Sequence, residues 1–162
     1  MTVGLSEAPG IGKLLMETRF VVPNHQRDYS WTVDQVKELL DDVTGALKNK
    51  NDVYFLGLMV FLGSAEQSTL IVLDGQQRLA TSIIIFAAIR GWLQQYDQYR
   101  QDADDIQRDF IGRRQLGHKE LQARMTMNVA NDKMFNDFIV TSSSIADIQS
   151  ALGHVDGFFI DE

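Results

Sequence analysis

Residues 69–82 read Thr-Leu-Ile-Val-Leu-Asp-Gly-Gln-Gln-Arg-Leu-Ala-Thr-Ser, and this stretch decides the fold. Its apolar part, residues 70–73, predicts a buried strand, and the apolar pattern that begins at Leu79 predicts a long helix. Between them lies a polar loop, residues 74–78, which we call the DGQQR loop. A strand that turns tightly into a helix directs free backbone N–H groups at one place, and this arrangement suits an anion.

The side chains of the DGQQR loop fit the same purpose. Gly75 permits a sharp turn and a close backbone approach, and Arg78 can contact a phosphate through two hydrogen bonds. Gln76 and Gln77 can donate hydrogen bonds, and Asp74 can hold Mg²⁺ or orient water. The alternative is a turn in which Asp74 caps the helix and Arg78 pairs with a carboxylate. The pattern G-x-x-x-x-G-K-[ST] of a Walker A loop does not occur in the sequence.

A second polar segment, residues 23–31, precedes the first long helix. Its side chains suit a loop that closes over a planar or anionic ligand, because Arg27 supplies charge and Gln26 supplies hydrogen bonds. Tyr29 or Trp31 can offer a stacking face. Trp31 can equally pack against the helix that follows, as a hydrophobic staple.

Composition is that of one soluble globular domain. The chain has 162 residues, of which 44% are hydrophobic and 23% charged, and it has no cysteine, so disulfides are excluded. Residues 1–20 lack the pattern of a signal peptide, and the longest apolar run, residues 83–89, is too short to cross a membrane. We therefore expect a cytoplasmic protein without a membrane segment.

The charge balance limits what the chain can bind. The net charge of −7 lacks the overall basic signature of DNA-binding proteins, so any DNA binding by this chain alone is expected to be weak. One basic stretch stands out nevertheless. It can be a solvated helix end and loop, or a patch that contacts phosphates, and its members are Arg113, Arg114, Lys119 and Arg124.

The remaining pattern predicts a chain that mixes short strands and helices. Thr32 and Gln35 form a capping-box pattern at the start of a helix. Residues 53–62 are continuously apolar and predict a strand buried on both faces, which can form a hairpin with residues 70–73. The other predicted elements are helices over residues 11–16, 102–111, 132–140 and 145–152, a strand over residues 20–22, and an extended segment over residues 121–129.

Three blocks together resemble the DUF262 domain, the N-terminal part of GmrSD-type, modification-dependent restriction proteins. They read Phe20-x-x-Pro23-x-x-Gln26-Arg27-x-Tyr29-Ser30-Trp31, then Tyr54-Phe55-Leu56-Gly57, then Leu73-Asp74-Gly75-Gln76-Gln77-Arg78-Leu79-x-Thr81. The chain departs from the family pattern at two positions. His25 stands where the family usually has tyrosine, and Ala80 stands where it often has threonine.

The resemblance implies a ParB/sulfiredoxin-like α/β fold, with a small mixed sheet, surrounding helices and a helical C-terminal part. It implies a nucleotide-binding core over residues 1–100, with residues 101–162 as the start of a helical region. The final residues, 157–162, read Gly-Phe-Phe-Ile-Asp-Glu and end the sequence on apolar side chains with nothing to pack against, so the chain is expected to be a truncated fragment. Family members carry a nuclease with a His-Asn-His block in a separate C-terminal domain. No such block follows residue 95 here, so DNA is expected as a partner only of a full-length protein.

The site that the resemblance implies uses NTP and Mg²⁺. Asp74 would hold the metal, and Asp74 and Arg78 would be the catalytic residues of a nucleotide hydrolase. The nucleotide-binding residues would be Gln26, Arg27, Gly75, Gln76, Gln77, Arg78 and Thr81. Two other interpretations stay open at this point, namely a non-enzymatic reader of modified DNA bases and a purely structural or partner-binding domain.

Overall fold

The computed structural model describes residues 9–50, 53–63, 69–114, 117 and 121–142. The predicted helix over residues 145–152 and the position of Lys119 lie outside these residues. The described part contains five α-helices and six short strands. The prediction of a small mixed sheet with helices around it is confirmed, whereas the likeness to the ParB fold stays a prediction.

The main sheet has four strands in the order β2-β3-β1-β6. β1 (Arg19–Val21) is parallel to β3 (Thr69–Asp74) and to β6 (Met125–Thr126). β2 (Val60–Leu62) is antiparallel to β3, which confirms the predicted hairpin. A separate antiparallel hairpin joins β4 (Gly112–Arg114) to β5 (Leu121–Ala123).

The helices surround this sheet. Thr32 starts the second of them through a capping box with Gln35, as predicted. Two π-helical turns, Gln107–Ile111 and Asn136–Val140, continue the fourth and fifth helices. The helices are α1 (Ile11–Glu17), α2 (Val33–Lys48), α3 (Gln76–Leu93), α4 (Arg100–Ile106) and α5 (Val129–Phe135).

The central helix α3 forms much of the core. Leu79, Ile83 and Ala87 recur at intervals of four residues, lie on one face of the helix and are fully buried. They pack with Phe20 and Val72 of the central strands. α3 begins at Gln76, three residues before the predicted start, because Gly75 turns the chain sharply with a φ of 90°. The residues after the DGQQR loop's glycine therefore already belong to the helix.

The predicted strand over residues 53–62, buried on both faces, is wrong. Only β2 is a strand, and it lies at the edge of the sheet. Gly57 has a φ of 103°, which breaks the extended geometry that a strand requires. The side chains of Val53, Phe55 and Leu58 are 83%, 79% and 71% exposed. A continuous apolar run signals burial only if another layer covers both faces, and the sequence of the run does not contain that information.

Residues after position 100 contribute to the same core. β6 pairs with β1, and the core includes Ile111, Met125, Met127 and Phe135. The extended segment predicted after residue 121 is confirmed as β5 and β6, whereas the β4–β5 hairpin was not predicted. The division of the chain near residue 100 stays a prediction. In the described part of the chain, no helix is long and apolar enough to span a membrane.

Candidate functional site

The parallel strands β1 and β3 bring the two predicted loops together, because both loops follow the carboxyl ends of these strands. A cavity of about 190 Å³ lies between them. We call it the loop cavity. Its walls contain residues of both predicted loops, namely Gln26, Arg27, Trp31, Asp74, Gly75, Gln76, Gln77 and Arg78. Thr81 is not among the residues that line it.

The DGQQR loop is held in shape by the segment before β2. A Cβ atom at Gly75 would lie 2.7 Å from the Cγ atom of Met59, and the φ of 90° at Gly75 also disfavours a side chain. The backbone N–H of Gly75 donates to Oδ1 of Asp74 at 2.7 Å, and the backbone N–H of Leu79 donates to the carbonyl of Gly75 at 3.0 Å. The turn is thus fixed by its own hydrogen bonds and by Met59.

The same segment positions Arg78. Its Nη1 atom donates to the carbonyl oxygen of Leu58 at 3.2 Å. A Cβ atom at Gly57 would lie 2.8 Å from Nε of Arg78, so only glycine leaves room for the guanidinium there. Gly57 therefore serves packing, because it lets the Arg78 side chain lie against the backbone. One hydrogen bond leaves most donors of this half-buried guanidinium for other acceptors.

Gln77 fastens the second loop to helix α3. Its Oε1 atom accepts hydrogen bonds from the backbone N–H groups of Ser30 at 2.8 Å and Trp31 at 3.2 Å. Its Nε2 atom donates to the carbonyl of Asp28 at 3.1 Å. Because both ends of the amide are occupied, Gln77 shapes the wall of the loop cavity through the loop that it holds.

Asn128 anchors the same loop from the other side. Its Nδ2 atom donates to the carbonyl of Gln26 at 3.1 Å and to Oδ1 of Asp28 at 2.8 Å. Asn131 donates to the same Oδ1 atom at 3.0 Å. Asn128 also caps α5 by accepting from the backbone N–H of Asn131. This role was not evident from the sequence, because Asn128 lies about a hundred positions away from the loop.

Two further contacts complete the second loop. Nε2 of Gln26 donates to the carbonyl of Leu73, at the end of β3, at 3.1 Å. The hydroxyl groups of Tyr29 and Thr81 lie 2.9 Å apart, and burial raises the pKa of Tyr29. Tyr29 thus packs against the core, while Trp31 is the aromatic side chain that lines the loop cavity. Arg27 is exposed and makes no ion pair within the described residues.

Gln76 differs from its neighbour Gln77. It is only 5% exposed, and both atoms of its side-chain amide are buried without a hydrogen-bond partner. A buried polar atom without a partner costs about 1–3 kcal/mol, so two of them in one side chain are unusual. Gln76 belongs to the wall of the loop cavity, where the two amide atoms themselves are covered from solvent.

Asp74 is the one carboxylate among the described residues that line the loop cavity. It is exposed at the end of β3, and the described residues contain no group of three or more histidine and acidic side chains that could hold a metal ion. A single carboxylate suits Mg²⁺, which is commonly bound through one or two carboxylates together with phosphate oxygens. The donor set therefore fits a metal that enters together with a nucleotide.

Comparison with known proteins identifies the family. A family model described as "GmrSD restriction endonuclease, N-terminal domain" matches residues 11–157. The chain belongs to this family. A search of the curated proteins gives no match. Membership in the GmrSD N-terminal domain family places the chain in a DNA-restriction system, and both loops that line the cavity lie within the matched region.

The site residues expected from the sequence fall into two groups in this GmrSD N-terminal domain. Seven of them line the loop cavity, and Thr81 lies behind it, bonded to Tyr29. Most of the residues that hold this arrangement in place were not indicated by the sequence, although Gly57 belongs to one of the family blocks. These supporting residues are Asp28, Gly57, Leu58, Met59, Asn128 and Asn131.

Proposed function

We propose that this GmrSD N-terminal domain is a nucleotide-binding regulatory module of a restriction protein, and that it binds NTP with Mg²⁺ in the loop cavity. The observation that carries the proposal is the convergence of Arg27, Arg78 and the N-terminus of α3 on one cavity. Two guanidinium groups and the positive end of an 18-residue helix favour the negative charge of phosphates.

The roles of the individual residues follow from their surroundings. Arg78 and Arg27 bind phosphate oxygens, and the backbone N–H groups that begin α3 add hydrogen bonds. Asp74 holds the Mg²⁺ ion, which neutralises phosphate charge when it is bound. The volume of about 190 Å³ is below the usual range for a whole small-molecule ligand, so the loop cavity encloses only part of the nucleotide.

Hydrolysis is the second part of the proposal. Phosphoryl transfer asks a protein mainly for positioning and for stabilisation of charge, and arginines held in advance supply both. Arg78 is held by Leu58 and Gly57 before any ligand binds, so it needs little reorganisation. Asp74, exposed beside it, orients the attacking water or holds the metal.

The first test is thermal stabilisation by nucleotides. We expect each NTP that binds to raise the melting temperature of the chain with Mg²⁺, because a ligand at about 100 times its Kd adds about 2.7 kcal/mol. Arg78→Ala should abolish this increase, since the variant loses the guanidinium that contacts phosphate. Titration calorimetry and release of inorganic phosphate then show which NTP binds and whether it is hydrolysed.

The matched control for this test is Arg100→Ala. Arg100 is an exposed arginine that pairs with Asp97 after the far end of α3, so its removal changes net charge equally. The control should keep the nucleotide-dependent increase in melting temperature. An Arg78→Ala variant that is stabilised as strongly as the wild type contradicts the assignment of the phosphate site.

A reader of modified DNA bases is the second candidate. The amide of Gln76, with an unpartnered donor and acceptor, matches the edge of a nucleobase, and Trp31 offers an aromatic face in the same wall. If this candidate is correct, modified and unmodified duplexes compete differently for the protein without NTP. Equal competition by the two duplexes contradicts it.

A further inference from the structure

Three arginines gather at the end of the sheet opposite to the loop cavity. We call Arg19, Arg113 and Arg124 the arginine cluster. Arg19 is the first residue of β1, and Arg124 directly precedes β6, which is parallel to β1. The loop cavity follows the carboxyl ends of the parallel strands. The cluster is therefore a separate feature, located at the amino ends of the same strands.

The backbone brings the three side chains together. Arg113 lies opposite Gln122 in the β4–β5 hairpin, and the backbone N–H of Arg124 continues the ladder by donating to the carbonyl of Ile111 at 2.8 Å. Arg113 and Arg124 are thus diagonal neighbours on one face of the hairpin. Nε of Arg19 donates to the carbonyl of Ala123, the residue before Arg124, at 3.3 Å.

The cluster holds positive charge that the described protein does not neutralise. Arg124 is only 5% exposed, its Nη2 donates to the carbonyl of Arg108 at 3.0 Å, and its buried Nε has no partner. Burial lowers the pKa of Arg124, and the guanidinium groups of Arg113 and Arg19 lower it further. A buried cation without a counter-ion is destabilising.

The carboxylate that acts on Arg124 is itself bound by another arginine. Asp109 raises the pKa of Arg124, but Arg108 binds both oxygens of Asp109, at 2.9 and 3.0 Å. The ion pairs of the described residues involve Arg100, Arg108 and Lys133 and no member of the cluster. Arg113 is exposed and Arg19 is half-buried, so both can reach an anion from solvent.

We propose that the arginine cluster is a contact surface for the phosphate backbone of double-stranded DNA. Arg113 and Arg19 contact phosphates. Arg124, which is buried beside them, adds to the positive electrostatic potential at this surface. The role of the family in DNA restriction favours the polymer over a small anion, and the local cation cluster permits its approach although the net charge of −7 repels DNA from most of the surface. The inference rests on the restriction role of the family, and it does not require nucleotide binding.

Salt-dependent DNA binding tests this surface. We expect the 162-residue chain to bind a fluorescent duplex in an anisotropy titration at about 50 mM salt, with a Kd in the non-specific range of about 10⁻⁴–10⁻⁶ M. Arg113→Gln should weaken binding about tenfold and make the salt dependence shallower by about one phosphate contact. Arg113→Lys, which keeps the charge, should retain most of the affinity.

Arg100→Gln is the matched control, because it removes one exposed positive charge away from the cluster, and it should bind DNA as the wild type does. The proposal is overturned if Arg113→Gln binds DNA as tightly as the wild type does. It is also overturned if Arg113→Gln and Arg100→Gln lose the same amount of DNA affinity. Absence of DNA binding by the wild type at about 50 mM salt also overturns it.

A last arm separates DNA from a small anion and from the nucleotide site. Inorganic phosphate should displace the duplex no better than chloride of equal ionic strength, and a stronger effect identifies a small-anion site instead. Stabilisation by NTP and Mg²⁺ should be unchanged in Arg113→Gln. If the protein does not bind nucleotide, DNA binding by the arginine cluster can still be tested. If it does not bind DNA, nucleotide binding in the loop cavity can still be tested.

Discussion

At the scale of single residues, the adjacent glutamines Gln76 and Gln77 differ in whether their side-chain amides form hydrogen bonds within the described protein. The sequence placed both in one ligand-binding loop, because their chemistry and position are nearly the same. Gln77 uses its amide to hold the loop of Ser30 and Trp31, whereas the amide of Gln76 is buried without a partner. Spacing along the chain could not separate these roles, since they depend on segments about 47 positions away.

We expect Gln76→Met to stabilise the free protein and to weaken ligand binding. Methionine keeps the size of the side chain and removes a buried donor and acceptor whose desolvation costs about 1–3 kcal/mol. The midpoint of urea unfolding should therefore rise with an unchanged slope, while the nucleotide-dependent increase in melting temperature should shrink. A stabilised variant with unchanged nucleotide binding contradicts a ligand role for Gln76.

At the scale of elements, the loop of residues 23–31 is held rigidly against helix α3. Hydrogen bonds from Gln77 and Asn128 fix residues 26–31 to two helices, α3 and α5. The hairpin of β2 and β3 and the capping box at Thr32 were predictable, because each is encoded locally, whereas the start of α3 was predicted three residues too late. The conformation and burial of residues 53–62 were not predictable, because the position of a strand in its sheet depends on distant partners.

Gln77→Met should destabilise the protein, in contrast to the same substitution at Gln76. The variant leaves the N–H groups of Ser30 and Trp31 without their acceptor, and we expect a loss of about 2 kcal/mol for these part-buried groups. Urea unfolding measures the loss. Hydrogen exchange at the amides of residues 30 and 31 should accelerate as well, and unchanged protection there would show that Gln77 does not hold the loop.

At the scale of the whole molecule, Arg90 ties distant parts of the chain to α3. It is 2% exposed, and its guanidinium donates to the side chain of Gln107 and, at 2.6 Å, to the carbonyl of Ser142. Burial lowers the pKa of Arg90. These contacts join the π-helical turn after α4, and the residue Ser142 beyond the second π-helical turn, to the central helix, and both partners lie outside the stretch that the family blocks in the sequence cover.

Removal of the Arg90 side chain should therefore destabilise the whole domain. We expect Arg90→Ala to lower the free energy of unfolding by about 3–5 kcal/mol, because it leaves a cavity and unpaired acceptors at a buried site. Arg100→Ala, at an exposed ion pair, should change it by less than about 1 kcal/mol. Urea unfolding compares the two variants, and equal midpoints would refute the structural role of Arg90.

The crossing of residues 57–59 with the DGQQR loop has a consequence for the sequences of relatives. Each of the two segments supplies a glycine where the other supplies a long side chain. Gly57 faces Arg78, and Gly75 faces Met59. A side chain at either glycine would meet the long side chain opposite and would also strain the backbone. Because both glycines have a positive φ, homologues should retain glycine at positions 57 and 75, and variation at positions 59 and 78 should be limited to side chains that still fit against these glycines.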